Sequence, residues 1–190
     1  MLSFTKAIEV LLSLQVLIIS TMIPVFITLP FTNQNIQIYE IPVTWQIPLI
    51  ILISLIFKSE IVFKAFTIYL LLGLFFIPIF HQGGSIGYLL TPNFGYLLGI
   101  YPLIKIINNL NIQNQRINIL NFLKVGILGI GIMHLFGIFY ISIQFFYFKQ
   151  ADILFYSISK YSLGKIGYHL LMLFPITLLI RPINKLRVYR

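Results

Sequence analysis

The chain has 190 residues, 59% of them hydrophobic and only 9% charged, with a net charge of +9 and no cysteine; its mean hydropathy is +0.98. Soluble domains carry about 25% charged residues, so the composition excludes a soluble globular protein and describes an all-α integral membrane protein, a single membrane domain over residues 1–190 with no room for a second soluble domain of ordinary size. The lack of cysteine excludes disulfides, thiol nucleophiles and thiolate metal sites, and the bases flank apolar segments instead of interleaving with aromatics, which points to membrane lipid and away from nucleic acid.

Apolar windows predict a compact bundle of six transmembrane helices. The first covers about 7–29 and ends at Pro30; its apolar stretch is too long for a cleavable signal and lacks a small-residue cleavage site. A polar stretch, 31–40, opens into the second helix, about 42–57. The third spans about 61–80 and the fourth about 88–107. The forty residues 65–104 contain no Asp, Glu, Lys or Arg and are interrupted by His81-Gln82-Gly83-Gly84-Ser85. A spanning helix needs roughly 20 apolar residues, so this run reads as two spans joined by a glycine-rich hairpin. Non-helical backbone near membrane depth survives only packed inside protein or lining a cavity, which marks the hairpin as one wall of a pocket for a small neutral or weakly polar ligand. Residues 108–118 read as a solvated linker rich in Asn and Gln. The fifth helix spans about 119–145 and the sixth about 163–180, before a basic tail.

Charge sets the orientation. With both termini cytoplasmic, Lys6, Lys58, Lys64, Lys105, Arg116, Lys124, Arg181, Lys185, Arg187 and Arg190 lie at cytoplasmic ends, ten of the thirteen bases, as the positive-inside rule requires. The 31–40 stretch, the 81–85 hairpin and the 160–164 region then share the external face. The cell (plasma) membrane is the expected location, with an organellar inner membrane as the alternative.

Three segments resemble a known family. Ile41-Pro-Val-Thr-Trp-Gln46 is similar to the "VPxTxQ" opening of the second helix in the BioY biotin-transporter family. Tyr69-Leu-Leu-Leu-Gly73 with Ile77-Pro-Ile-Phe80 resembles "YLLLGxxGLPVF", and Gly83-Gly84 with Leu90-Thr-Pro-Asn-Phe-Gly-Tyr-Leu-Leu-Gly99 resembles "GG…LLGPTGGYLxG". The resemblance covers residues 41–107 and implies a substrate-binding S component of an energy-coupling-factor transporter. It implies biotin as the ligand, taken from outside, and as partners a transmembrane coupling protein and two cytoplasmic ATPases. Two stretches depart from the family pattern. Where it has "PGDxxK", this chain reads Leu163-Gly-Lys-Ile-Gly-Tyr168, and its first helix offers only Ala7 and Ser13 as small residues for docking on the coupling protein.

Biotin presents ureido N–H donors and a carbonyl, an apolar sulfur ring, and a carboxylate on an alkyl chain. A site for it needs amides or hydroxyls, aromatic walls and one cation or helix N-terminus. Thr44, Gln46, Gln82, the Gly83-Gly84 backbone, Asn93 and Tyr96 are the polar candidates, and Trp45, Phe80 and Tyr88 the walls. Thr44 and Gln46 also suit interhelical hydrogen bonding, and Asn93 beside Pro92 also suits backbone freed by the proline. Lys165, at the expected start of the sixth helix, either snorkels to a lipid headgroup or meets the ligand carboxylate. His169 lies one turn deeper on its face, and Tyr168 can donate from its hydroxyl. His134, mid-span, reads as a neutral histidine bonded to a neighbouring helix, and the nearby glycines of α-helical span five read as close helix packing.

No phosphate-binding loop is present, so ATP must come from partners. No nucleophile–histidine–acid set or metal-ligand spacing is found, so neither an enzyme nor a cofactor is expected. The competing readings are the same scaffold tuned to a different vitamin-like ligand, and a non-transport membrane scaffold.

Overall fold

The computed structural model describes residues 3–29, 37–81, 83–113, 116–148 and 151–188. Helix α1, Phe4–Met22, stops about two turns before the expected end. Pro24 bars the helical conformation to the residue before it, and Ile23 is extended, with φ −95° and ψ 110°. The next residues, rich in β-branched and aromatic side chains suited to strands, form β1, Pro24–Leu29, and not the last turns of a helix. It pairs antiparallel with β2, Gln37–Thr44, through a register irregularity between Pro24 and Val25. Of the polar stretch 31–40, residues 31–36 lie outside the described residues, and 37–40 belong to β2.

Helix α2, Gln46–Ile56, is accordingly shorter than expected, because its first residues are strand. Helix α3, Ser59–Phe75, stops ahead of Pro78 instead of reaching residue 80. A 3-10 turn, Ile86–Leu90, replaces the expected start of the fourth helix. Helix α4, Pro92–Gln113, opens on a proline whose missing N–H costs nothing there. Its last residues include part of the expected linker. Among them Asn108, only 5% exposed, donates from Nδ2 to the carbonyls of Ser54 and Phe57 at 3.0 and 2.9 Å and so ties α4 to the end of α2. Helix α5 is Ile119–Phe148.

The expected sixth helix begins far earlier than residue 163. It is a nearly continuous rod of α6, Ala151–Ile158, a π-helical turn, Ser159–Leu163, α7, Gly164–Leu171, and α8, Leu173–Val188. Lys165 therefore lies inside this rod and not at the helix start expected for it. Three stretches, Phe4–Met22, Ile119–Tyr147 and Leu154–Lys185, are long and apolar enough to cross a membrane.

The core lies where α2, α3, α4 and α5 meet, around Ile50, Phe66, Tyr69, Leu103, Ile107 and Phe122, all buried. α4 and α5 approach closely. A side chain at Gly99 would strike the Met133 carbonyl, one at Gly129 would strike Leu103, and one at Gly126 would meet Leu173 of α8. Gly131, by contrast, faces open space. Large apolar side chains such as Leu11, Phe75, Leu128, Phe139 and Leu178 remain exposed on the outside.

Candidate functional site

One end of the bundle gathers the close of β2, the starts of α2 and α4, the 3-10 turn, the π turn and α7. They enclose a cavity of about 80 Å³. β2 and the start of α2 contribute Thr44 and Gln46, the 3-10 turn Tyr88, α4 Asn93 and Tyr96, and α7 Lys165 and His169. Seven residues singled out from the sequence are thus brought together. The sequence reading missed Pro42, Ile47, Leu97, Ile100 and Met133, which supply apolar wall, and His81 and Tyr161, which supply polar or aromatic edge. Apolar positions of a helix carry no sign of which cavity they border. His81 and Tyr161 were legible only as members of segments already marked as polar.

The other candidates stand elsewhere. Gln82 lies outside the described residues. Gly83 and Gly84 do not line the cavity; they stand in the connection between α3 and the 3-10 turn, which also carries His81. Gly83 has a φ of 117°, open to glycine and strained for other residues. A Cβ on Gly84 would lie 2.6 Å from the Gly73 carbonyl oxygen and 2.8 Å from Pro78 Cα. Tyr168 is 37% exposed and absent from the lining. Successive helical residues turn by about 100°, which puts Lys165 and His169 on one face and Tyr168 to its side. Trp45 packs against the small cluster of Val25, Ile41, Val43 and Met172, and so braces the β-hairpin without reaching the cavity.

Aromatic rings tie the connection between α3 and the 3-10 turn to the core. Phe80 sits edge-on to Tyr69 at 5.3 Å and tilted on Tyr88 at 4.6 Å between centroids. Gly73 leaves room for the Phe80 ring. Tyr140 and Gln144 of α5 donate to the carbonyls of Leu89 and Leu90, the latter at 2.9 Å, and so hold the 3-10 turn over the end of α5. The hydroxyl of Thr44 accepts the Gln46 N–H at 3.4 Å, and Gln46 Nε2 donates to Tyr69 OH at 3.3 Å. These bonds fix the start of α2 and leave the Gln46 carbonyl oxygen as an acceptor.

Lys165 stacks its ammonium 5.3 Å from the centre of the Tyr161 ring, and Lys160 approaches the same ring at 5.5 Å. Burial and the Lys165 charge together hold His81 below its ordinary value of 6.5, against the opposing effect of Glu40, so its ring is neutral at neutral pH. No carboxylate lines the cavity among the described residues. Nor do the described residues include a group of three or more His, Cys, Asp or Glu able to hold a metal ion. The site therefore offers one cation, amide and hydroxyl groups, and aromatic faces.

His134 lies just behind the lining. It is 2% exposed and bonded to two other buried groups, Ser162 and His169, which agrees with the reading of a histidine bonded to a neighbouring helix.

The chain matches the BioY family over residues 3–179. It is also similar in fold to a crystal structure, at 2.1 Å, of the S-component for biotin from an ECF-type ABC transporter. The TM-score is 0.61 and the identity 18%, with 98% of this chain and 95% of that one covered. No curated protein matches the chain by sequence.

Proposed function

The chain belongs to the BioY family, and from that premise we propose that it is the substrate-binding S component of an energy-coupling-factor transporter, a membrane protein and not an enzyme, that takes up biotin. In this reading the whole chain is one domain of six membrane-crossing rods. Both termini are cytoplasmic, and the 81–85 hairpin and the cavity face outside. Lys6, Lys58, Lys64 and Arg116 at the end opposite the cavity support that orientation. A coupling protein and two ATPases on the cytoplasmic side supply the energy, since this chain has no phosphate-binding loop.

Lys165 carries the proposal. It is a partly buried ammonium in a cavity without a carboxylate, and a cation so placed is costly unless a partner offsets the loss of water. A ligand carboxylate supplies that partner. Thr44, Gln46, Asn93 and Tyr96 then meet the ureido end, and Tyr88, Tyr161 and the apolar wall meet the body. Clefts for drug-sized ligands run roughly 300–1,000 Å³, so a cavity of about 80 Å³ must widen to take biotin. His81 and the 3-10 turn bearing Tyr88 are parts of the wall outside the α-helices.

The test is a binding cycle on the purified protein, with biotin and biotin methyl ester against wild type and Lys165→Met. A charge-assisted hydrogen bond contributes about 1.5–3 kcal/mol. Wild type should therefore prefer biotin to the ester by about 10- to 150-fold, and Lys165→Met should abolish the preference. An equal preference in both proteins would sink the pairing. A second ligand remains a live reading because Lys165 and Tyr168 stand where the family has an acid and a lysine. Binding of another anionic vitamin in preference to biotin would establish it.

A further inference from the structure

Four groups on four elements form one buried chain behind the cavity. Tyr96 OH on α4 lies 2.6 Å from Ser162 Oγ on the π turn. Ser162 Oγ lies 3.2 Å from His134 Nδ1 on α5, and His134 Nε2 lies 3.0 Å from His169 Nδ1 on α7. The two ends, Tyr96 and His169, line the cavity, whereas Ser162 and His134 do not. The π turn makes this possible, since its extra residue per turn brings Ser162 against α5.

Such a chain has a direction. A bond between two ring nitrogens needs a proton on one and a lone pair on the other. With neutral rings, His134 and His169 must then be in the same tautomer, because opposite tautomers would set two protons or two lone pairs face to face. In the first arrangement Tyr96 donates to Ser162, Ser162 to His134 Nδ1, and His134 Nε2–H to His169 Nδ1. His169 then holds its proton on Nε2. In the second arrangement His169 Nδ1–H donates to His134, and His134 Nδ1–H donates to Ser162. Ser162 is then free to donate to Tyr96, and Tyr96 to turn its own hydrogen outward. Each residue holds one mobile hydrogen in both arrangements. Conversion releases one proton at His169 Nε2, passes one along each of the three links, and takes one up at Tyr96.

We propose that Tyr96, Ser162, His134 and His169 are a reversible donor–acceptor relay, so that His169 and Tyr96 always offer the ligand one donor and one acceptor and recognise an N–H and a C=O carried side by side, as in an amide or ureide. The identity of that ligand rests on the biotin reading; the wiring of the relay does not. Ser162 and His134 act as positioning residues, since neither borders the ligand space.

The experiment uses the full-length protein in detergent with ¹⁵N-labelled histidine. The chain has three histidines, and His81→Gln assigns the one outside the relay. Ring-nitrogen shifts should show His134 and His169 neutral and in the same tautomer, with biotin driving both rings together toward one arrangement. Ser162→Ala should break their coupling and weaken biotin binding about tenfold, the loss of roughly one well-placed hydrogen bond, alongside a lowered melting midpoint because His134 Nδ1 and Tyr96 OH lose that partner. Ser162→Thr, which keeps the hydroxyl, should restore both. Opposite tautomers, a protonated ring, or full biotin affinity in Ser162→Ala would overturn the relay. If wild type fails to bind biotin, the biotin reading falls alone, and tautomer agreement with its loss in Ser162→Ala still decides the relay.

Discussion

Replacing Gly84 with alanine tests whether the 81–85 hairpin shapes the cavity or merely connects two helices. The added Cβ would lie 2.6 Å from the Gly73 carbonyl oxygen, 2.8 Å from Pro78 Cα and 3.2 Å from the Ile77 carbonyl oxygen. All three neighbours are backbone, so no rotamer change relieves the clash. Ordinary contact begins near 3.4 Å, and 3.4 less 2.6 leaves about 0.8 Å of backbone movement to be found. The hairpin cannot press closer to α3, because the Phe80 ring already fills the space over Gly73, and so it must lift. Lifting carries Phe80 away from Tyr69 and drags Tyr88, stacked on Phe80 at 4.6 Å, out of the cavity wall. Overpacking of this kind costs about 1–3 kcal/mol. Thermal unfolding in detergent should show a lowered midpoint for Gly84→Ala, and calorimetry a weaker biotin affinity. Gly131→Ala is the internal control. Its Cβ meets nothing within 4 Å, and alanine is favoured over glycine in a helix by about 0.8–1.0 kcal/mol, so its midpoint should rise with affinity unchanged. Wild-type stability and affinity in Gly84→Ala would refute the claim that close backbone approach sets this wall.

Asn108→Leu should destabilise the protein by about 1–3 kcal/mol, because one buried and one part-buried carbonyl, of Ser54 and Phe57, lose this donor; an unchanged unfolding midpoint would show that water replaces it. On α1, Ala7 borders an open apolar groove with Phe63, Thr67 and Ile68, whereas Ser13 is fully buried. Ala7→Trp should therefore weaken co-purification with a coupling protein and spare biotin binding, whereas Ser13→Leu should lower stability first; the reverse pattern would remove the groove as a docking face. His81 binds its proton less readily in the folded chain than in the unfolded one, so its contribution to stability is full above about 6.5 and lost as pH falls through the lowered folded value. The difference in unfolding midpoint between wild type and His81→Gln should shrink or change sign on acidification, and a difference that grows would refute the assignment.

Hydropathy located the rods but not their ends. The fourth and fifth helices lie where the apolar windows put them, with frayed boundaries, because apolar helix is the only repetitive structure those windows suit. The first two helices were over-extended across Pro24 and Pro42, where local backbone chemistry outweighs hydropathy: proline and its β-branched neighbours favour extended chain. The start of the sixth rod was misplaced by a dozen residues. In a one-dimensional reading Lys160 looks like a loop charge and Lys165 like a charge at a helix start, but in the fold both ammoniums lie against the ring of Tyr161. At the site, Thr44, Gln46, Asn93 and Tyr96 were legible because polar groups in an apolar segment must be satisfied by something. His134 was legible only as a polar intruder. Its link to His169, 35 residues away, depends on a π turn that no periodicity announces.

The strand that displaced the start of the second helix also borders the cavity. α2 has 11 residues, about 16 Å of helix at 1.5 Å per residue, against a hydrocarbon layer of about 30 Å. The deficit of about 14 Å is close to the reach of four extended residues at about 3.3 Å each, and residues 41–44 at the end of β2 are extended. Extended backbone is tolerated at such depth only where protein covers it or a cavity borders it. Ile41 and Val43 are buried, and Pro42, Val43 and Thr44 border the cavity. A helix running unbroken from residue 42 would satisfy its own backbone, whereas the strand-to-helix junction puts Thr44 and Gln46 at the cavity, beside Lys165 and one end of the histidine chain.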